Sequence, residues 1–194
     1  MNRLEKKMNN IILRNGRPEN TEGREAKETR CYDLLDSLGI EYMQADHEKA
    51  ETMAVCEEID KTLEATICKN LFLCNKQETK FYLLMIPGAK PFKTKLLSKQ
   101  IGSSRLSFAP AEYMEKYLDI TPGSVSILGL MNDSENMVNL IVDSDVLSGE
   151  FVGCHPCTNT SSLKIKTADM FGPLLSAMNH KMTEVTLPWV VDEV

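Results

Sequence analysis

The stretch ATICKNLFLCNKQETKFYLLMIPG, residues 65–88, decides the fold of this chain. Two apolar runs rich in β-forming residues, 65–75 and 80–88, flank the polar segment NKQETK. Apolar runs of this length on either side of a polar turn predict an antiparallel hairpin. Further strands are predicted along the chain in the runs IEYMQA (40–45), SVSILGL (124–130), VNLIVDSDVL (138–147), EFVGCH (150–155), TSSLKIK (160–166) and TEVTLP (183–188).

Helical spacing of apolar residues predicts a first helix from Arg24 to Leu38, and Gly39 is a natural stop. Further helices are predicted for 51–63, with Thr52 as a possible N-cap, and for 93–102, 109–118 and 167–178. Strands outnumber the helices that could serve as crossovers, and several strands are neighbours in sequence. This pattern favours an α+β fold with a mixed sheet over a doubly wound parallel fold.

Composition limits the class of protein. A chain of 194 residues with 42% hydrophobic residues predicts one globular domain, and a net charge of −6 argues against a general polyanion-binding surface. No apolar run approaches ~20 residues, so no membrane span is expected. Six cysteines without an export signal predict reduced thiols in a cytoplasmic protein, and we expect a monomer. Residues 1–23 are expected to be a flexible extension, in which 3–13 could form a short helix, and 24–194 the folded domain.

The segment GCHPCTNT, residues 153–160, contains a C-x-x-C pair around His155. A redox pair of the thioredoxin type begins a helix, but here both flanks are strand-like. A structural zinc site needs four ligands, and Cys68 and Cys74 do not have the spacing of a second pair. We therefore expect no metal and no cofactor, and interpret the cysteines as small buried residues. A CxxC thiol oxidoreductase remains the less favoured alternative.

His155 and Lys69 are the two candidate catalytic residues. His155 ends an apolar strand and precedes the hydrogen-bonding run Thr158, Asn159 and Thr160, an arrangement typical of a substrate loop. Lys69 interrupts an apolar run: it either faces water from an edge strand or points into a cleft, where it would hold a carbonyl, carboxylate or phosphate. The other histidines, His47 and His180, are interpreted as surface or local structure.

A cluster of four lysines stands out in this acidic chain. It comprises Lys90, Lys93, Lys95 and Lys99. A solvated helix face explains such a cluster, and so does contact with a phosphate backbone. In the second case any nucleic-acid contact would be local, because the rest of the chain is acidic.

Three motifs, KNLFL, TPGSVSILGL and VGCHPCTNTSSLKI, appear in an order that resembles the YbaK-like aminoacyl-tRNA deacylases, in particular the free-standing proteins associated with prolyl-tRNA synthetase. The likeness runs from about Arg24 to Trp189. It implies a compact α+β domain with a mixed, curved sheet. It also implies hydrolysis of the ester between a wrong amino acid, chiefly alanine, and proline tRNA, without metal.

The resemblance also implies roles for individual residues. Lys69 and His155 match catalytic positions, while the acceptor end of aminoacylated tRNA would meet a larger substrate-binding set: Asn70, Gly153, Thr158, Asn159, Thr160, Thr52, Met53 and Gly129. Lys90, Lys93, Lys95 and Lys99 would contact tRNA, and prolyl-tRNA synthetase is an expected partner. The sequence departs from relatives at Cys154, at Cys157 and at ILGL (127–130). A non-catalytic module that binds tRNA or the synthetase is the main alternative.

Overall fold

The computed structural model describes residues 7–8, 11–49, 59 and 62–190. The described strands are β1 Lys7–Met8, β2 Ile11–Asn15, β3 Tyr42–Asp46, β4 Thr66–Asn75, β5 Phe81–Pro87, β6 Leu106–Phe108, β7 Val138–Asp143, β8 Phe151–Cys154, β9 Ser161–Lys166 and β10 Met182–Val185. The described helices are α1 Ala26–Ser37, α2 Thr94–Gln100, α3 Ala111–Leu118, α4 Ser144–Leu147, α5 Thr167–Asp169 and α6 Leu175–Ala177, with a 3-10 helix at Ile127–Asn132 and a π-helix at Met170–Leu174. No described helix is long and apolar enough to cross a membrane.

The predicted hairpin lies at the centre of the sheet. β4 and β5 pair antiparallel, with Leu71 opposite Leu84. The strand order is β1-β2-β3-β9-β8-β4-β5-β7-β10, and β6 pairs with β4 off this path. β4 pairs parallel with β8, and β7 pairs parallel with both β5 and β10, so the sheet is mixed as predicted. The long strand β4 connects the two parts of the sheet, because it pairs with β8 on one side and with β5 on the other.

Alternation along β4 separates the two faces of the sheet. Cys68, Phe72 and Cys74 enter the main core, which also contains Cys31 and Leu35 of α1. On the opposite face, Leu73 packs with Leu97 of α2. Since side chains alternate across a strand, Lys69 lies on this second face, the outer face. The sheet therefore has a main-core face and an outer face, and Lys69 belongs to the outer face.

The helix predictions for 24–38, 93–102 and 109–118 are confirmed as α1, α2 and α3. Gly39 has φ of +64°, a conformation that ends α1 at low cost only for glycine. The helix predicted for 167–178 forms with a π-helical middle that contains Pro173, which supplies no backbone donor. Most of the helix predicted for 51–63, with Thr52 and Met53, lies outside the described residues; residues 59 and 62–63 are helical.

Two strand predictions were wrong in part. SVSILGL forms a loop and a 3-10 helix, because Ser126 caps the turn by accepting a hydrogen bond from the Leu128 amide. Short apolar runs do not distinguish buried strand from buried helix. In 138–147, the strand ends at Asp143, whose carboxylate accepts a hydrogen bond from the Asp145 amide and begins α4.

The expectation of a helix in residues 3–13 and of a loose segment up to residue 23 also needs correction. Ile11–Asn15 is a strand that pairs antiparallel with β3, and Ile11 is buried. Arg14 and Arg24 both bond Asp46, at 2.6 and 2.7 Å. The polar composition of this segment concealed a strand that is held by its neighbour and by charge pairing.

Candidate active site

The sheet register relates the positions of Lys69 and His155. The parallel ladder between β4 and β8 ends with Ile67 opposite Gly153. Continuing this register by two residues places Lys69 of β4 level with His155, which directly follows β8, and alternation puts both on the same face. The structure thus brings both predicted catalytic residues to the outer face of the sheet, on either side of one strand junction.

The His155 ring is held by one nitrogen. Its Nδ1 lies 2.9 Å from the Ser161 carbonyl oxygen and 3.3 Å from the Ser162 hydroxyl. A carbonyl only accepts hydrogen bonds, so Nδ1 carries the proton and Nε2 has a free lone pair. Within the described part of the chain, Nδ1 makes all the hydrogen bonds of the ring. The ring therefore offers Nε2 as a hydrogen-bond acceptor.

His47 completes this arrangement, and sequence reasoning missed it. Its Nδ1 lies 2.7 Å from the Glu48 carbonyl oxygen, so its Nε2 accepts a hydrogen bond from the Ser162 hydroxyl at 2.9 Å. The Ser162 oxygen is then oriented to accept from His155. His47 is buried rather than at the surface, and its ring centroid lies 6.3 Å from that of His155. Its pairing was hidden because 115 residues separate it from Ser162.

Burial favours the neutral form of both rings. It lowers the pKa of His155; the Ser161 carbonyl partly opposes this change, and the nearby His47 lowers the pKa further. Burial likewise lowers the pKa of His47, against the effects of the Glu48 carbonyl and Asp46. An unperturbed histidine titrates near 6.5, so His155 is mostly neutral at pH 7 and its Nε2 is available as a base.

Lys69 is half-buried, and burial lowers its pKa. Its ammonium donates one hydrogen bond, at 2.5 Å, to the backbone carbonyl of Lys90. Two N–H groups remain on a nitrogen that no described carboxylate neutralises. A partly desolvated cation with spare donors is suited to hold a developing negative charge.

The prediction that Lys90 contacts tRNA was wrong. Its side chain is 1% exposed, and its ammonium pairs with Asp143 at 2.7 Å and with Asp145 at 3.0 Å. Burial opposes the charge, but the two carboxylates raise the pKa of Lys90. The ion pairs of the Lys90 side chain therefore hold its loop in place, and the backbone carbonyl of Lys90 accepts the hydrogen bond from Lys69. The other three lysines, Lys93, Lys95 and Lys99, are exposed in or beside α2, so tRNA contact remains a prediction for them.

The other predicted binding residues lie in neighbouring elements, and Asn70 of β4 lies by alternation on the main-core face, opposite to Lys69. Asn70 donates to the Val125 carbonyl at 3.1 Å, and its buried Oδ1 lacks a hydrogen-bond partner within the described residues. Thr158 is buried and lies 3.2 Å from the Thr160 hydroxyl, while Asn159 between them is partly exposed. The Thr160 carbonyl accepts a hydrogen bond from the His47 amide. The loop thus braces the histidines as well as bordering the site.

Two predicted glycines have clear structural surroundings. Gly153 pairs with β9 and β4, so its backbone groups face neighbouring strands rather than a cleft. A Cβ on Gly129 would lie 2.5 Å from Ile120 Cδ1 and 3.0 Å from Leu118 Cβ. Close packing in the core therefore explains Gly129, and its predicted contact with substrate has no support from this position.

The five cysteines that the structure describes are buried thiols, as the sequence indicated for them. The C-x-x-C residues do not act as a pair: the Sγ of Cys157 lies 3.6 Å from that of Cys31 on α1. Burial raises the pKa of Cys154, and the hydrogen bond to Cys157 together with burial raises that of Cys31. Raised thiol pKa values disfavour the reactive thiolate. Among the residues that the structure describes, no three His, Cys, Asp or Glu side chains are grouped as a metal site requires.

A histidine whose Nε2 is available as an acceptor, and a half-buried lysine on the same face of the sheet, are groups suited to ester hydrolysis. Residues 47–172 match the model of the aminoacyl-tRNA editing domain. The chain is 32% identical over 136 residues to the prolyl-tRNA editing protein ProX of Acetoanaerobium sticklandii, covering 70% of this chain and 83% of ProX. It is 27% identical to prolyl-tRNA synthetase associated domain-containing protein 1 of Danio rerio, covering 71% of this chain and 76% of that protein.

Solved structures support the fold. A candidate trans-editing enzyme for prolyl tRNA synthetase superposes with a TM-score of 0.61 at 15% identity, covering 84% of this chain and 99% of that one. The chain belongs to the aminoacyl-tRNA editing domain family. The predicted family, the α+β fold and the enzyme class, aminoacyl-tRNA deacylase, are thereby confirmed.

Proposed function

We propose that the protein is a free-standing trans-editing deacylase that removes alanine from tRNA for proline. The ProX relative is named as a prolyl-tRNA editing protein, which supports the proposal that the tRNA is the one for proline. The choice of alanine as the amino acid rests on a chemical argument. A proline-selecting pocket cannot strongly exclude alanine, because a missing methylene or two is worth only about 1–3 kcal/mol. A second site that admits alanine and excludes proline by size would supply the missing selectivity.

The hydrogen bond from His155 Nδ1 to the Ser161 carbonyl is the observation that carries this proposal. With Nδ1 bonded to the Ser161 carbonyl, Nε2 accepts a proton from a water molecule that attacks the ester carbonyl. The protonated ring then returns the proton to the leaving ribose oxygen. General-base assistance of this kind contributes about 10²–10⁴-fold to a rate.

Lys69 supplies the complementary charge. Its remaining N–H groups stabilise the oxyanion that forms when water adds to the ester, while the Lys90 carbonyl fixes its position. Losing such a donor typically raises the barrier by about 2.7–4 kcal/mol. We assign this role to Lys69 rather than to the Gly153 amide, because Gly153 is paired within the sheet.

The Oδ1 of Asn70, which has no hydrogen-bond partner among the described residues, supports a binding role on the main-core face of β4, next to Lys69 along the chain. A buried acceptor without a donor costs free energy, and a donor group on the substrate would remove that cost. Thr52 and Met53, at the start of the predicted helix 51–63, are proposed to border the amino-acid pocket. Prolyl-tRNA synthetase is the proposed partner, and Lys93, Lys95 and Lys99 are proposed tRNA contacts.

The test is single-turnover deacylation of alanyl-, cysteinyl-, seryl- and prolyl-tRNA by the full chain. We expect alanyl-tRNA to be cleaved fastest, and prolyl-tRNA to be cleaved roughly 5–150-fold more slowly, as a steric clash of about 1–3 kcal/mol implies. Lys76→Ala removes a charge from the exposed hairpin turn and serves as the control: it should leave all four rates as in the wild type. Equal rates for alanyl- and prolyl-tRNA would refute the editing assignment. Binding of tRNA without hydrolysis would instead favour a non-catalytic module.

A further inference from the structure

A cavity of about 570 Å³ opens at the end of the sheet where β9 finishes and β8 begins. Lys164 and Lys166 of β9 line it together with Phe151, Tyr42 and Met43. It therefore combines two cations with aromatic and apolar surface. Proteins that bind single-stranded nucleic acid use this combination, in which cations hold phosphates and aromatic rings stack on bases.

Lys164 is the most informative residue of this cavity. Its side chain is 9% exposed, yet no described carboxylate pairs with its ammonium. Its Nζ lies 4.4 Å from the centroid of the Phe151 ring, a cation–π contact. A largely buried charge without a counter-ion carries a desolvation cost that an incoming anion would offset. The cavity thus presents a cation prepared for a negatively charged ligand.

The cavity adjoins the candidate active site. Lys164 pairs with Gly153 and lies two residues along β9 from Ser162, the residue that contacts His155. At about 3.3 Å per residue, that spacing places Lys164 about 6.6 Å and Lys166 about 13 Å from the position of Ser162. All three lie on the outer face by alternation. A strand of substrate that leaves the reacting ester would pass Lys164 before Lys166.

Two carboxylates also line the cavity, and their positions leave the lysines free. Asp36 pairs with Arg17 at 3.5 Å and accepts a hydrogen bond from the Tyr42 hydroxyl at 3.1 Å, so its charge is compensated. Glu41 is exposed to solvent. Neither carboxylate forms an ion pair with Lys164 or Lys166.

We propose that this cavity holds the single-stranded 3′ acceptor end of the tRNA, with backbone phosphates at Lys164 and Lys166 and a base against Phe151. This inference rests on the proposed deacylase function and adds a binding track to it. The track lies at a different part of the outer face from the α2 lysines. It explains how an acidic protein could bind tRNA through a small, local basic surface.

The experiment compares two substrates that share the same ester. One is full alanyl-tRNA, and the other is 3′-O-alanyl-adenosine, which lacks the phosphates and preceding nucleotides. Lys164→Gln and Lys166→Gln are each expected to raise KM for the tRNA by about tenfold and to leave kcat nearly unchanged. Each lost phosphate contact should reduce the salt slope of tRNA binding by about 0.7. Both constants for the short ester should stay as in the wild type.

Lys76→Gln serves as the control for removing a lysine far from the cavity. Lys166 is exposed, so its variant should fold even if the buried Lys164→Gln does not, and thermal unfolding verifies both. An unchanged KM for the tRNA with Lys166→Gln, or an equal rise in KM for both substrates, would overturn the proposed track. Failure of the wild type to hydrolyse either ester would instead refute the deacylase function on which the track rests.

Discussion

Lys90 and Lys164 are both largely removed from solvent, but their ammonium groups have opposite surroundings. Lys90 lies between the carboxylates of Asp143 and Asp145, and its Nζ also lies 5.3 Å from the ring centroid of Trp189. Lys164 lies against the Phe151 ring and lines a cavity, and no described carboxylate forms an ion pair with it. A buried lysine with carboxylate partners, such as Lys90, indicates a structural role, because its charge is already compensated. A buried lysine without such a partner beside a cavity, such as Lys164, indicates a cation that is available to bind a ligand.

Lys69 lies between these extremes. It has one acceptor, the carbonyl of Lys90, and no described carboxylate. Lys90 thereby positions Lys69, the proposed catalytic lysine, since the ion pairs of Lys90 hold the loop that Lys69 contacts. Three lysines of different burial and pairing should consequently respond to mutation in three distinguishable ways.

The largest expected effect is on stability, at Lys90. Lys90→Ala leaves the fully buried Asp143 without its counter-ion, and breaking a buried pair typically costs about 3–5 kcal/mol. Chemical denaturation measures the free energy of unfolding. Lys99→Ala, an exposed lysine on α2, should change that free energy by no more than about 0.5 kcal/mol. A Lys90 variant as stable as the wild type would mean that its pairing is not structural.

The second effect is on turnover, at Lys69. Lys69→Ala should lower the single-turnover rate of alanyl-tRNA hydrolysis by at least ~10²-fold, as expected from loss of one electrostatic contact to the transition state. Its free energy of unfolding should change little, because it has no buried counter-ion. The pair of variants thus separates a stability defect from a catalytic one. A rate near that of the wild type would exclude Lys69 from the site.

Most of the fold could be predicted from the sequence. The hairpin 65–88, α1 and the strands β8 and β9 follow from apolar periodicity and turn residues, which act locally. The run 124–130 was mispredicted because its outcome depends on contacts distant in sequence: Gly129 is packed under Ile120 and Leu118. Strand β2 was missed for a similar reason, since its stability comes from β3 and from the Arg14 pairing with Asp46.

The candidate site was predictable in its parts but not in its connections. Lys69 and His155 stood out because each was chemically unusual for its segment. No sequence pattern indicated that Lys90 forms an ion pair with Asp143, or that His47 forms a hydrogen bond with Ser162, because both contacts join segments that are distant in sequence. For Lys164 the sequence predicts only a place in the strand 160–166. Its significance depends on a cavity that the topology creates.

The third prediction concerns His47, which contacts Ser162 and which we expect to position His155 through that hydroxyl. His47→Ala removes the acceptor of the Ser162 hydroxyl, so Ser162 can turn and the hold on His155 weakens. One neutral hydrogen bond is worth about 0.5–1.5 kcal/mol, so a fall in kcat of roughly 2–10-fold is expected with little change in KM.

His47→Gln, which retains an acceptor, should recover part of the rate. Ring ¹⁵N shifts of His155 report the tautomer directly: the Nδ1–H form should dominate in the wild type and lose population in His47→Ala. A reduced rate with an unchanged tautomer would indicate that His47 supports only the local structure.

The smallest effect is expected for the cysteines of the substrate loop. Cys154 and Cys157 are buried, Cys157 faces Cys31, and raised pKa values keep the thiols of Cys154 and Cys31 protonated. The double change Cys154→Ala and Cys157→Ala should therefore leave the alanyl-tRNA deacylation rate within a few-fold of the wild type, although loss of buried sulfur lowers stability. Cys74→Ala, in the same core but away from the loop, controls for that loss. If the double variant keeps its fold yet loses its activity while Cys74→Ala does not, the thiols take part in catalysis and the roles assigned to His155 and Lys69 must be revised.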